Sequence, residues 1–156
     1  MSFMFMKIAE EVAEKSDCLS RKVGAVLVRE VIMSVASNTV PEGLPSCKQE
    51  GQCLRRKLGI PSGERLELCR IIHAEVRAIV YALLCSWNIR GATLYVTDPP
   101  CNMCAHLIVA VGIKKVVYRG DYPGNGLDIL RRGGVEVEQY IRDAIIIDNP
   151  DEGVPE

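Results

Sequence analysis

Residues 91–118 read GATLYVTDPPCNMCAHLIVAVGIKKVVY, and the fold follows from how this stretch divides. Residues 92–97 form a short apolar run stopped by two prolines, which predicts a strand. Residues 102–111 carry apolar side chains at helical spacing before Gly112, and residues 114–118 predict a second strand. A strand, a helix and a strand in so little chain imply a crossover with parallel pairing. The same alternation continues downstream, with a helix over 127–132 and a strand over 135–140. Upstream, Val76, Ile79, Val80, Leu83 and Leu84 mark a helix that starts near His73. Earlier still, two apolar runs, 23–28 and 31–35, are separated only by Arg29 and Glu30. They predict an antiparallel hairpin, irregular because its turn lacks Gly or Asn. Phe5, Ile8, Ala9, Val12 and Ala13 predict an opening amphipathic helix ending near Ser16 or Asp17. The sum is an α/β fold in three α/β/α layers, with a mixed sheet of about five strands and helices on both faces.

The chain has 156 residues, 48% hydrophobic and 25% charged, with a formal net charge of -1. That composition excludes disorder and offers no basic field for long nucleic acid, so a small substrate is favoured. One domain over 1–156 is expected. The longest apolar stretches, such as 107–113, fall far below the roughly 18 residues of a membrane span, and Lys7 interrupts the apolar start. A cytoplasmic protein is expected. Seven cysteines, an odd number without a secretion signal, fit metal ligation or free thiols better than a disulfide framework.

Residues 38–72 form a long loop in which no period persists, punctuated by Pro41, Gly43, Pro45, Gly51, Gly59, Pro61 and Gly63. So long a loop needs a function or a fastening, and Cys47, Cys53 and Cys69 could fasten it. The tail, 141–156, contains the apolar run 144–147 and receives no role.

Two clusters carry chemistry. His73-Ala74-Glu75 opens one predicted helix, and Pro100-Cys101-Asn102-Met103-Cys104 opens the next. Cysteines three apart on a first helical turn point the same way, and the positive end of the helix dipole favours their thiolates. With His73 they make a three-ligand zinc site that leaves a fourth position open, as catalytic zinc does. Glu75, two residues from His73, diverges too far to be a ligand but can border the same cavity as a proton carrier. Alone, the Cys-x-x-Cys pair reads as redox or as metal about equally. Alone, Glu75 reads as first-turn charge. A dithiol oxidoreductase would not need His73, and a non-catalytic zinc module would need neither Glu75 nor an open position.

His-x-Glu followed by Pro-Cys-x-x-Cys resembles the cytidine deaminase-like superfamily. Residues 59–65 (GIPSGER), 67–70 (ELCR), 18–25 (CLSRKVGA) and 43–47 (GLPSC) look like the deoxycytidylate (dCMP) deaminase family, a resemblance that spans about residues 5–140. It implies zinc-dependent hydrolysis of dCMP to dUMP and ammonia, with proton transfer by Glu75 and no organic cofactor. It also implies substrate contacts from Asn38, near the sugar, and Tyr122, near the phosphate. Homo-oligomers, often hexamers, are common in the family. A second, structural zinc occurs in some members, and Cys18, Cys47, Cys53 and Cys69 would be its ligands here. Cys85, within an apolar helix, reads as core. The same fold could instead act on dCTP, cytidine, guanine or a tRNA adenosine. The basic run Arg55-Arg56-Lys57 reads as solvated loop charge. Two departures stand out: the segment 36–41 (ASNTVP) lacks the family's glycines, and Arg77 replaces a frequent asparagine and reads as a solvated helix arginine.

Overall fold

The computed structural model describes residues 1–141 and the backbone of 144–147. Helix α1 (Ser2–Ala13) leads into strands β1 (Gly24–Val28) and β2 (Ile32–Ser37), then the one-turn helices α2 (Cys47–Glu50) and α3 (Leu54–Lys57) and a 3-10 turn (Leu66–Leu68). Helix α4 (Ala74–Leu84), β3 (Thr93–Val96), α5 (Asn102–Ala110), β4 (Lys115–Tyr118), α6 (Gly126–Arg132), β5 (Glu136–Ile141) and β6 (Ala144–Ile147) follow. The strands join in one sheet in the order β2-β1-β3-β4-β5-β6. β3, β4 and β5 pair in parallel through α5 and α6, whereas β1 is antiparallel to both β2 and β3.

Side chains on a strand alternate between faces, so β1 feeds two cores. Val26 and Val28 meet Phe5, Met6 and Ala9 of α1 on one face. Ala25 and Leu27 meet Ala78, Ile79, Ile108 and Leu130 from α4, α5 and α6 on the other. Burial on both faces explains why β1 reads as a continuous apolar run rather than an alternating one. Helix α1 comes so close to β1 that a Cβ on Gly24 would lie 1.9 Å from the Ala9 carbonyl oxygen, so only glycine fits there.

The α/β/α architecture and the five expected strands are present. Four details differ from the sequence reading. Helix α1 ends at Ala13, short of Ser16, because buried Ser16 turns away and its hydroxyl donates to the Asn38 carbonyl at 2.7 Å. The hairpin register shifts at Leu27/Val28, and Val31 falls in the connection. The segment 38–72 holds α2, α3 and the 3-10 turn rather than unbroken loop. Finally, the apolar run 144–147 adds a sixth strand, antiparallel to β5. Among the described residues no helix is long and apolar enough to cross a membrane.

Candidate active site

Two helix starts face each other across one end of the sheet. His73 is the N-cap of α4, with extended backbone (φ -63°, ψ 149°), and Cys101 is the N-cap of α5 (φ -69°, ψ 170°). Cys104 sits three residues into α5, so the two thiols share the N-cap and N3 positions, whose side chains adjoin in any helix. The His73 Nδ1 lies 3.5 Å from the Cys101 Sγ and 3.4 Å from the Cys104 Sγ. A tetrahedral zinc with bonds of about 2.3 Å to sulfur and 2.0–2.1 Å to nitrogen needs S···N edges of about 3.6 Å. The donor set therefore fits zinc with little adjustment. Among the described residues, these three form the one group of at least three His, Cys, Asp or Glu side chains whose donor atoms all lie within 4.8 Å of one another.

The electrostatics agree with the geometry. A hydrogen bond from Cys104, with help from His73, lowers the Cys101 thiol to about 4 against the opposing effect of burial. That same bond, burial and the charge of Glu75 push Cys104 far above the usual thiol range. The hydrogen bond to Cys101 raises His73 in turn. One proton is thus shared within the sulfur pair, and a divalent cation would displace it. Glu75 is 4% exposed and contributes no metal ligand. Burial pushes its carboxyl up to about 7, with the His73 charge opposing. A carboxyl poised there can both accept and return a proton near neutrality.

His73, Glu75 and Cys101 line a cavity of about 320 Å³, within the range of small-ligand sites. Asn38, Asp98 and Tyr122 contribute to its wall, together with Arg21, Arg55 and Arg56.

The cytidine and deoxycytidylate deaminase zinc-binding region, as a family, matches residues 2–119. The chain belongs to this family. It is 39% identical over 121 residues to a deoxycytidylate deaminase of Mycobacterium phage D29, covering 73% of this chain and 90% of that one. It is 35% identical over 140 residues to the deoxycytidylate deaminase of Schizosaccharomyces pombe, covering 88% of this chain but only 43% of the yeast protein. Among solved structures, the dCMP deaminase of cyanophage S-TIM5 in complex with dCMP and dUMP aligns with a TM-score of 0.73 and 32% identity. That alignment covers 88% of this chain and 95% of that one.

The other residues singled out from the sequence have distinct placements. Asn38 is buried, and both ends of its amide are engaged: Oδ1 accepts from the Val23 N–H at 2.8 Å and Nδ2 donates to the Arg21 carbonyl at 2.8 Å. It braces the segment before β1 as well as lining the cavity. Tyr122 is covered by the Arg21 guanidinium, 4.9 Å from its ring centroid, and burial raises its phenol. Cys18, Cys47 and Cys69 gather with Val40 and Ile71, and the Cys53 sulfur accepts from the Ser20 hydroxyl at 3.7 Å. Burial and the other three thiols push Cys47 up. The four are neighbours without reaching the spacing of the His73 group. Cys85 is no core residue; it caps the end of α4, exposed. Arg77 is not merely solvated, because it donates to the Ser37 carbonyl at 2.8 Å and covers Tyr81, tying α4 to β2.

Sequence reasoning passed over Arg21 and Asp98, which pair at 3.4 Å in the cavity wall. Arg21 lies in the segment 18–25 that leads into β1, whereas Asp98 falls between the predicted strand 92–97 and the Cys-x-x-Cys turn and carries no signal of its own.

Proposed function

We propose that this deaminase hydrolyses dCMP to dUMP and ammonia. The observation that carries the reading is a zinc-spaced His73–Cys101–Cys104 group opening on a small cavity beside a buried carboxyl, Glu75. The names of the phage and yeast relatives and the nucleotides bound in the cyanophage structure support dCMP as substrate. His73, Cys101 and Cys104 would hold the zinc. When bound, the metal supplies a water acidified enough to attack cytosine C4.

The chain's own residues do the rest. Glu75 takes a proton from that water and delivers it to N3, then a second to the departing amine, so water and dCMP balance dUMP and ammonia. Burial pushes the carboxyl up to about 7 in the metal-free chain, near the pH at which it has to accept and return a proton. Asn38 and Tyr122 shape the sugar and phosphate side of the cavity. The reading places the enzyme in the cytoplasm as a homo-oligomer; the exposed Val80, Leu84 and Trp87 support the second point. A second zinc on Cys18, Cys47, Cys53 and Cys69 is supported by their common neighbourhood.

One purified preparation tests these points. Deamination is followed by ultraviolet absorbance across dCMP, CMP, dCTP, deoxycytidine, guanine and adenosine, with zinc counted per chain. Wild-type protein should prefer dCMP, and Glu75→Ala should lose roughly 10²- to 10⁴-fold in kcat with its zinc retained. A preference outside cytosine deoxynucleotides overturns the substrate. One zinc per chain that vanishes in Cys101→Ala removes the second metal.

A further inference from the structure

We propose that Cys18, Cys47, Cys53 and Cys69 form an oxidation site in the cavity wall, where a peroxide joins Cys18 to Cys53 as a disulfide and reversibly lowers the enzyme's turnover. The site lies outside the His73 group and uses none of its residues. Only the activity readout rests on the dCMP reading; the disulfide itself does not.

The four thiols come from separate stretches of chain. Cys18 precedes β1, Cys47 opens α2, Cys53 is the N-cap of α3, and Cys69 ends the 3-10 turn just before His73. All are free thiols. Cys47 is buried with Val40 and Ile71, whereas Cys18, Cys53 and Cys69 are half-buried and line the cavity, so a small oxidant reaches them from there. Ser20 bridges Cys18 and Cys53: its hydroxyl donates to the Cys53 sulfur at 3.7 Å, and its backbone N–H donates to the Cys18 sulfur at 3.4 Å. A cysteine that a solute can reach, with a second thiol at hand, is the arrangement that oxidises to a disulfide rather than to the higher acids.

The spacing favours a two-sulfur product. A tetrahedral metal with bonds of about 2.3 Å needs all four sulfurs about 3.8 Å apart. Here no three of them lie within 4.8 Å of one another. A disulfide asks for one pair, at an S–S distance of about 2.05 Å. The metal and the disulfide draw on the same sulfurs, so zinc bound to the four would leave as the pair oxidises. Hydrogen peroxide converts one thiol to a sulfenic acid with loss of water, and the second thiol attacks that sulfur and releases a second water. Two thiols and one peroxide thus give one disulfide and two waters, the O–O bond taking up the two electrons. An external dithiol reverses the step by exchange. The new bond ties the segment before β1 to α3. Arg21 and Val23 of that segment, whose backbone Asn38 holds, and Arg55 and Arg56 of α3 all line the cavity, so drawing the two together misshapes it.

Zinc-loaded protein is treated with hydrogen peroxide, free thiols are blocked with iodoacetamide, and disulfides are mapped by mass spectrometry. Turnover of dCMP and zinc per chain are measured before treatment, after it, and after dithiothreitol. Peptides joined through Cys18 and Cys53 should appear, and turnover should fall roughly 10- to 10²-fold, the cost of about 1 Å of misplacement. Zinc should remain on His73, Cys101 and Cys104, and dithiothreitol should restore the activity. Cys53→Ser and Cys18→Ser, each compared with its own untreated activity, should resist the peroxide. If neither variant folds, the wild-type map and its reversal decide. A Cys18–Cys53 bond formed without loss of turnover, oxidation confined to Cys101 and Cys104 with loss of zinc, or a Cys53→Ser variant inactivated as fast as wild type overturns the proposal. If untreated protein does not deaminate dCMP, that reading fails separately. The site is then judged by the mapped bond and a dithiothreitol-reversible change in melting temperature, whose presence upholds it and whose absence overturns it.

Discussion

Glu75 stands at the second position of α4, where an acidic side chain would ordinarily favour the helix dipole from solvent. Here it is buried, and the consequence is a pH-dependent cost in the metal-free protein. Burial pushes its carboxyl up to about 7 when folded, from an ordinary value of 4.5. Between these values the folded chain binds more protons than the unfolded one, so stability falls as pH rises through the window. Above pH 7 the full penalty applies, on the order of 3 kcal/mol at 1.36 kcal/mol per unit. Glu75→Gln keeps the shape and removes the titration. With zinc chelated, urea unfolding should show the glutamine variant gaining on wild type from pH 4.5 to pH 8 by a gap of that order. A gap independent of pH would mean that the folded carboxyl titrates normally. Activity runs the other way, because the same substitution removes the proton carrier.

The elements explain what could be read in advance and what could not. His-x-Glu and Cys-x-x-Cys were legible because each lies within one helix start, where spacing alone fixes direction. The strands and long helices were legible from their periods. Helices α2 and α3 were not: one turn is too short to show a period or to be stable alone, so tertiary contacts form them. Ser46 and Gln49 did carry a signal, a capping box in which each side chain bonds the other's backbone N–H. Arg55 reads as loop charge because the Glu64 carbonyl it donates to and the cavity it lines are brought together from separate segments.

Two glycines make the contribution of the elements testable. A Cβ on Gly24 would strike the Ala9 carbonyl oxygen, and one on Gly126 would lie 2.0 Å from the Pro100 carbonyl oxygen and 3.2 Å from the Cys101 carbonyl carbon. Gly24→Ala and Gly126→Ala should each destabilise by about 1–3 kcal/mol through backbone displacement. Only Gly126→Ala, which pushes α6 against the turn bearing Cys101, should also release zinc more readily to a competing chelator. Equal zinc retention in both variants would show that α6 does not position the ligand.

At the scale of the molecule, one apolar face has no cover among the described residues. On α4 and just beyond it, Leu84 is 76% exposed and Trp87 44%, with Val80 beside them. The edge strand β2 also exposes Ile32 and Val35, but opposite Val28 and Val26, on the α1 side of the sheet. Exposed apolar surface such as that on the outer side of α4 marks an interface, and β2 is also a sheet edge, which a free monomer would need to protect. A second copy of the chain, meeting like with like across a two-fold axis, would bury both. The face lies on the outer side of α4, whereas His73 and Glu75 occupy its first turn, so assembly and chemistry can be separated by mutation. Leu84→Glu with Trp87→Glu places like charges at the centre of that contact, where each would be buried unpaired. Light scattering should find wild-type protein at a multiple of 17.2 kDa and the double variant shifted to smaller species, with zinc still bound. An unchanged mass would assign the face to something other than self-association, and a wild-type monomer would remove the oligomer altogether.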